Sequence, residues 1–279
     1  MAGGRSFSAG ALECVSVADG DLPLPAAMLF ANPEADELRR ALGDDLDERG
    51  MIVGRFNPLV VRVPNAIVLV DTGFGRFAPA PGAGRLLDSL RGEGVEPGHV
   101  DVVVITHAHP DHLGGLVVDG EPVFPMARHV ILGTEWESWT SASVDAPESI
   151  TSALEQALRP LFELGLLELA EDGREVARGV RLLHAPGHTP GHAAVELGDP
   201  PVAIFLADAV LHEVGFQHPE WTSQIDSEPE LAVETRRALL ARAVDEQLLV
   251  AAYHLGRHGF VRRDGDAFRL DDERTCTDA

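Results

Sequence analysis

The densest chemistry in this sequence lies in ten residues, THAHPDHLGG, running from Thr106 to Gly115. His107, His109, Asp111 and His112 crowd together there, directly after the apolar run DVVVIT. One buried histidine is usually a hydrogen-bonded core residue. Three beside a carboxylate are costly to desolvate unless a cation satisfies their lone pairs. Imidazole nitrogen combined with carboxylate oxygen suits zinc first, with manganese, iron and cobalt as alternatives. Residues two apart in an extended chain point the same way, so His107, His109 and Asp111 can converge on one point while His112 turns to a second side. Gly114 and Gly115 would then permit a tight entry into the next element. Four ligands in one loop cannot complete two metal sites, so further ligands are expected downstream. The stretch LLHAPGHTPGH supplies His188, FLADAV supplies Asp208 and VAAYHLG supplies His254.

Each of these residues follows an apolar run that reads as a strand. Such runs occur at 11–17, 58–63, 66–71, 101–106, 128–132, 180–185, 193–197, 202–208 and 248–254. In layered sheets ligands gather at the carboxyl ends of strands, which is where the candidate residues fall. VPNA between the second and third runs is a tight-turn signal and predicts a hairpin. GRLLDSLRGEG predicts a short helix closed by a glycine. SEPELAVETRRALLARAVDE predicts a longer helix, with Ser227 and Glu230 at capping-box spacing and Pro229 in the first turn. Hairpins mixed with helices along the whole length predict an α/β (α+β) layered architecture. The segment 134–165 reads as an outer helical layer in preference to a lid. No repeat or long linker appears, so residues 1–279 read as a single domain.

Charge narrows the function classes. The 279 residues carry 45 acidic side chains against 22 basic ones, a formal charge of -23. Every basic residue is arginine, which removes lysine-based Schiff-base and general-base chemistry. So negative a field repels phosphate backbones, and nucleic acid is not an expected partner. A hydrophobic fraction of 45% is ample for a sizeable core. No stretch approaches the roughly 18 apolar residues of a membrane helix, and no membrane partner is expected. The opening residues lack the apolar centre of a secretory signal, so a cytoplasmic location is expected. Two cysteines cannot build a disulfide framework, and both Cys14 and Cys276 read as inert. A small molecule is the expected partner, and a homodimer is left open.

Taken together, VLVDTG (68–73), THAHPDH, GHTPGH (187–192), Asp208 and His254 resemble, in order and type, the metallo-β-lactamase fold superfamily. The resemblance covers nearly the whole chain and implies an αββα four-layer sandwich with a metal site along the edge between its sheets. Asp208 as a bridging position favours the glyoxalase II and lactonase style of site. GVEPGHVDVVVITHAHPDHLGGL, PVFPMARHVI and APGHTPGH look most like the branch of methyl parathion hydrolase and its lactonase-like relatives. Two departures stand out. After His254 the chain reads HLGRHGF in place of the branch's usual HxPFPG, and Leu211 stands where some lactonases carry a tyrosine.

The resemblance implies two divalent metal ions, with His107, His109 and His188 on the first, Asp111, His112 and His254 on the second, and Asp208 bridging. It further implies a bridging hydroxide as nucleophile, with Asp111 as a catalytic proton acceptor and Asp71, in the DTG turn, holding ligands by hydrogen bonds. The activity implied is hydrolysis of a neutral ester or lactone. The alternatives are a phosphotriesterase, a glyoxalase II-like thioesterase, or a non-enzymatic metal-binding relative. Phe30, Trp136, Trp139 and Phe216 fall in segments that could roof such a site, although core packing is the safer reading of each taken singly, and His212 could replace the missing tyrosine. His99, His129 and His218 read as surface or loop residues, and His184 and His192 as satisfied core histidines.

Overall fold

The valine- and isoleucine-rich runs fold as strands buried on both faces. In Val102–Ile105, Val102 and Val104 join one core while Val103 and Ile105 join another on the opposite side. Ala66–Val70 alternates in the same way, Val68 and Val70 facing inward and Leu69 outward. This two-sided burial is why the runs show no polar alternation. The computed structural model describes residues 5–141 and 147–271. Cys276, and residues 142–146 within the 134–165 segment, lie outside them.

Two seven-stranded sheets result. The first runs in the order Arg5–Ala9, Leu12–Ser16, Leu59–Val63, Ala66–Val70, Val102–Ile105, Arg128–Leu132, Leu167–Ala170. Its last four strands are mutually parallel and the others antiparallel. The second runs Glu175–Ala177, Val180–His184, Ala193–Leu197, Ala203–Phe205, Leu249–Ala251, Gly259–Asp264, Ala267–Asp271, with one parallel pair between Ala203–Phe205 and Leu249–Ala251. Between the sheets lies a core that includes Leu59, Val61, Val104, Val195 and Phe205. Outside the first sheet, Leu86, Leu90, Leu154 and Leu158 pack from helices; outside the second, Leu239 and Leu240 do so from Pro229–Asp245. These are the four layers expected.

Every strand-like run named from the sequence contains a strand, and the predicted hairpin forms at Asn65, whose φ is 66°. The unexpected strands include all four sheet edges: Arg5–Ala9, Leu167–Ala170, Glu175–Ala177 and Ala267–Asp271. Edges carry one solvated face and mixed polarity, which weakens their apolar signature. A separate hairpin, Gly20–Pro25 with Met51–Phe56, also escaped the apolar pattern because glycine and proline interrupt it.

The capping box does not form. The N-cap of Pro229–Asp245 is Glu228, with no side-chain cap. The backbone of Ser227 instead donates to the His188 carbonyl at 2.9 Å, and that of Glu228 to the Gly187 carbonyl at 2.9 Å. Gly187 sits at φ 125°, and a Cβ there would lie 2.2 Å from the Ala232 nitrogen. The helix start is thus used to clamp the loop that carries His188. In the 134–165 segment, Gly133–Thr140, Glu148–Ala153 and Arg159–Glu163 are helical, with a π-helical turn at Leu154–Leu158. Ile150, Ala153, Leu154 and Leu161 pack against the first sheet, which makes this an outer layer.

Candidate metal centre

Strand ends deliver all seven candidate ligands to one place. His107, His109, His188 and Asp208 each offer an atom within 4.8 Å of the others, and Asp111, His112 and His254 form a second such group. His109 turns its Nδ1 inward, 3.0 Å from both His107 Nε2 and His188 Nε2. Asp208 stands between the groups. Its Oδ2 lies 3.3 Å from His188 Nε2 and 3.1 Å from His254 Nε2, and its Oδ1 lies 3.2 Å from His112 Nε2. The run at 202–208 ends as a strand at Phe205, and a 3-10 turn, Ala207–Ala209, swings Asp208 inward, with Ala207 at φ 46°.

The outward-facing nitrogens are held as well. His112 Nδ1–H donates to Asp71 Oδ2 at 2.8 Å, His188 Nδ1–H to Asp226 Oδ1 at 2.8 Å, and His254 Nδ1–H to the Arg55 carbonyl at 2.7 Å. The Thr106 hydroxyl donates to Asp71 Oδ2 at 2.9 Å and accepts from His107 Nδ1–H at 3.0 Å. Each acceptor fixes the tautomer that leaves an Nε2 lone pair facing inward. Asp71 reaches this position with φ 64° and takes the Thr106 backbone N–H at 2.8 Å too. Tyr253, the one tyrosine of the chain, donates to the Asp111 carbonyl at 2.5 Å, its ring 4.0 Å from that of His112.

Burial opposes charge on every one of these imidazoles. At His109 burial, reinforced by His188, pushes the pKa down to about 3. At His188 burial is outweighed by hydrogen bonds to Asp208 and Asp226, which lift it to about 9. Burial also opposes ionisation of Asp208, but His254 and His112 outweigh it and hold that carboxyl well below its usual range.

Glu135 was invisible to motif reading. It is fully buried and accepts four hydrogen bonds at 2.8 Å: Oε1 takes Ala108 N–H and Trp139 Nε1–H, and Oε2 takes the Thr189 hydroxyl and Gly191 N–H. One carboxylate therefore ties the 106–112 loop to the 187–192 loop. A Cβ at Gly191 would lie 2.1 Å from the Glu135 nitrogen, so glycine is required there. Gly114 and Gly115 serve close approach rather than a tight turn. Cβ atoms there would come within 2.0 Å of the Phe74 carbonyl oxygen and 2.2 Å of that of Thr72.

A cavity of about 220 Å³ opens on both ligand groups. Leu24, Met28, Ile52, Phe56, Phe74 and Leu211 wall it, beside Asp111, Asp208 and His254. The aromatic roof expected from the sequence does not line it. Trp136 stacks on Phe162 at 4.8 Å, Trp139 packs on the same outer core, and Phe216 is buried under the second sheet. Phe30 is buried against Trp221 at 5.4 Å, while its neighbour Leu29 faces the cavity. His212 lines a different, polar cavity. Its Nδ1 accepts from Val214 N–H at 3.2 Å, so Nε2 carries the proton, 3.8 Å from Asp45. The tryptophans at helical spacing went to the core, where their area is buried, and Leu24, Met28, Ile52 and Phe56 of the 20–56 hairpin region, with Phe74, took the cavity.

Among the other histidines, His192 is a buried, satisfied core residue, bonded to the Ala185 carbonyl at 2.9 Å and the Asp208 N–H at 3.1 Å. His184 is half-buried and reaches the Pro190 carbonyl at 2.9 Å. His99 is exposed and His218 half-buried. His129 departs from expectation. It is fully buried within Arg128–Leu132, and neither ring nitrogen has a hydrogen-bond partner among the described residues. Cys14 is buried, and burial pushes its thiol up to about 12, in keeping with an inert role. No helix among the described residues is long and apolar enough to cross a membrane.

Comparison with known proteins bears on the fold and the family. An N-acyl homoserine lactonase of Bacillus sp is 26% identical over 172 residues, 61% of this chain and 62% of that protein, so the alignment spans less than two thirds of the curated relative. The solved structure of AidC, a dizinc quorum-quenching lactonase in complex with a product, N-hexanoyl-L-homoserine, superposes with a TM-score of 0.88 at 26% identity, covering 97% of each chain. The hydrolase AbOPH of the beta-lactamase superfamily has the same fold, with a TM-score of 0.88 at 24% identity over 97% of each chain. The model of the metallo-beta-lactamase superfamily matches residues 54–254, from the hairpin strand that borders the cavity to the last of the clustered histidines, and the chain belongs to that superfamily.

Proposed function

We propose that this chain is a dinuclear metal-dependent hydrolase that opens a neutral, partly apolar lactone or ester, of the kind an N-acyl homoserine lactone represents. The observation that carries this reading is the apolar cavity opening directly on two groups of candidate ligands that meet at Asp208. The residues fit metal ions. His112 Nε2 and Asp208 Oδ1 are buried without a hydrogen-bond partner among the described residues. Three inward imidazole nitrogens lie 3.0 Å apart in two contacts that share His109 Nδ1, and one proton there can satisfy only one of them. A cation removes both conflicts.

In this reading His107, His109 and His188 hold one ion, Asp111, His112 and His254 hold the other, and Asp208 bridges them. Zinc is the first expectation, with manganese, iron or cobalt as alternatives. Bound there, two divalent ions supply Lewis acidity and a water acidified toward neutral pH. Asp71 and Asp226 keep His112 and His188 aimed inward. Asp111 borders the cavity with its side chain 18% exposed, placed to accept a proton from the attacking water. The apolar walls bury the acyl part of the substrate at about 25 cal/mol per Å² of apolar area. The formal charge of -23 disfavours anionic substrates.

Elemental analysis of protein purified without chelator, followed by turnover on a panel of lactones, aryl esters, phosphotriesters, phosphodiesters and thioesters, tests the proposal. Two ions per chain and a neutral lactone or ester as best substrate are expected. At most one ion after reloading would overturn the dinuclear assignment. An anionic substrate preferred by more than about tenfold in kcat/KM, roughly 1.4 kcal/mol, would overturn the substrate class.

A further inference from the structure

In a chain where acidic residues outnumber arginines 45 to 22, a half-buried guanidinium without an acidic partner is out of place. Arg55 is one. It sits on Met51–Phe56, half-buried, and its side chain makes no hydrogen bond or ion pair among the described residues. The chain makes room for it at Gly256, where a Cβ would lie 3.2 Å from Arg55 Nε and 3.3 Å from its Cδ. Gly256 is absent from the positive-φ residues, so what glycine spares here is a shift of the Arg55 side chain by a few tenths of an ångström. The HLGRHGF departure thus has a structural consequence: it seats this guanidinium.

Arg55 lines a polar cavity of about 370 Å³, together with Arg5, His212, Gln217 and Arg257. His254 lines this cavity and also the apolar one, so the two adjoin the same ligand group from different sides. Of the other two wall arginines, Arg5 is exposed to water, and Arg257 is already neutralised, its Nε donating to Glu213 Oε2 at 2.9 Å and its Nη2 to the Leu270 carbonyl at 2.9 Å. Asp45 borders the cavity too, but its side chain is 69% exposed and faces His212, so water screens it. Asp21 stands opposite Arg55 across the hairpin but is exposed and makes no ion pair with it, so the half-buried charge that remains to be matched is that of Arg55.

We propose that this polar chamber is an anion-binding subsite, centred on the Arg55 guanidinium, that receives the carboxylate of the hydrolysis product as it leaves the metal centre. The inference rests on the hydrolase reading in identifying the anion as product. Water adds to the acyl carbon, the C–O bond to the alcohol breaks, and a carboxylate, a hydroxyl and a proton result. Substrate and product therefore differ by one negative charge, and once the anion leaves the metal ions the protein's negative field disfavours it except beside an unpaired cation. Guanidinium pairs with carboxylate through parallel charge-assisted hydrogen bonds.

Calorimetric titration of metal-loaded protein with hexanoate, and with hexanamide as its neutral counterpart, tests the subsite without requiring turnover. The hydrolase reading can therefore fail separately, in the substrate panel. Arg55→Gln should weaken hexanoate binding about tenfold at low salt, with hexanamide changed less than twofold. Arg55→Lys should recover most of the loss, and high salt should shrink the difference. Gly256→Val, which fills the seat of the guanidinium, should reproduce the loss if Arg55→Gln proves unstable. Equal hexanoate affinity in wild type and in whichever variant retains wild-type metal content would overturn the proposal, as would equal weakening of hexanamide.

Discussion

Replacing His129 with leucine should stabilise the protein, and by more at acid pH than at neutral pH. His129 shares the helix-side face of its strand with Ile131, flanked in the sheet by Val103 and Leu167. Burial pushes its pKa from 6.5 down to about 4, with the Leu166 carbonyl offsetting part of the shift. The folded state therefore binds fewer protons at this site than the unfolded chain does. The stability that goes with a neutral His129 is complete above about pH 6.5 and is lost as pH falls toward about 4. At about 1.4 kcal/mol per pH unit, the wild type loses about 2 kcal/mol at pH 5 from this residue alone. Leucine removes that loss. It also removes two buried ring nitrogens without partners, which contributes a pH-independent gain of about 1–3 kcal/mol. The assay is urea unfolding of both proteins, with the same metal loading, at pH 5, 6, 7 and 8. Acid effects on the metal ligands are common to the two and cancel in the difference. A difference that stays flat across this range would refute the reasoning, because an imidazole reached by water, or one whose protonated form is stabilised as much as burial opposes it, has no such linkage.

Asp208→Ala should lower metal occupancy at both positions and reduce kcat/KM by more than the ~10–100-fold typical of an outer hydrogen-bonding residue; a variant with both ions and near-normal turnover would show the bridge to be misassigned. Asp226→Asn should weaken binding of the ion beside His188 by ~10–100-fold, read by competition with a chromophoric chelator, and unchanged affinity would mean that Asp226 does not govern His188. Glu135→Gln should destabilise the fold by about 2–5 kcal/mol in urea, since an amide nitrogen would face two of the four donors now bonded to the carboxylate. A loss below about 0.5 kcal/mol, the scale of a surface change, would show that the two loops do not depend on it.

The sequence alone marked the seven candidate ligands and their strand-end setting, because metal chemistry admits few residue types and the H-x-H-x-D-H spacing is set locally. It also determined the central strands, whose two-sided burial leaves uninterrupted apolar runs. Tertiary structure alone decided which other carboxylates matter. Asp226 lies in a polar stretch, SQIDSE, that reads like any solvated loop, and Glu135 looks no different in sequence from Glu137 two residues on. Each acquires its role from donors brought in from distant segments: Asp226 from His188, Glu135 from Ala108, Thr189 and Gly191. The cavity walls were decided the same way. Trp136 and Phe216 are apolar enough for a substrate wall but bury more area inside the cores, and the 20–56 hairpin, broken by Gly20, Pro23 and Gly54, places Leu24, Met28 and Ile52 beside the ligands instead. Side-chain type and short-range spacing are local properties that a sequence displays; which face a residue presents, and which distant donors meet it, depends on how the layers pack.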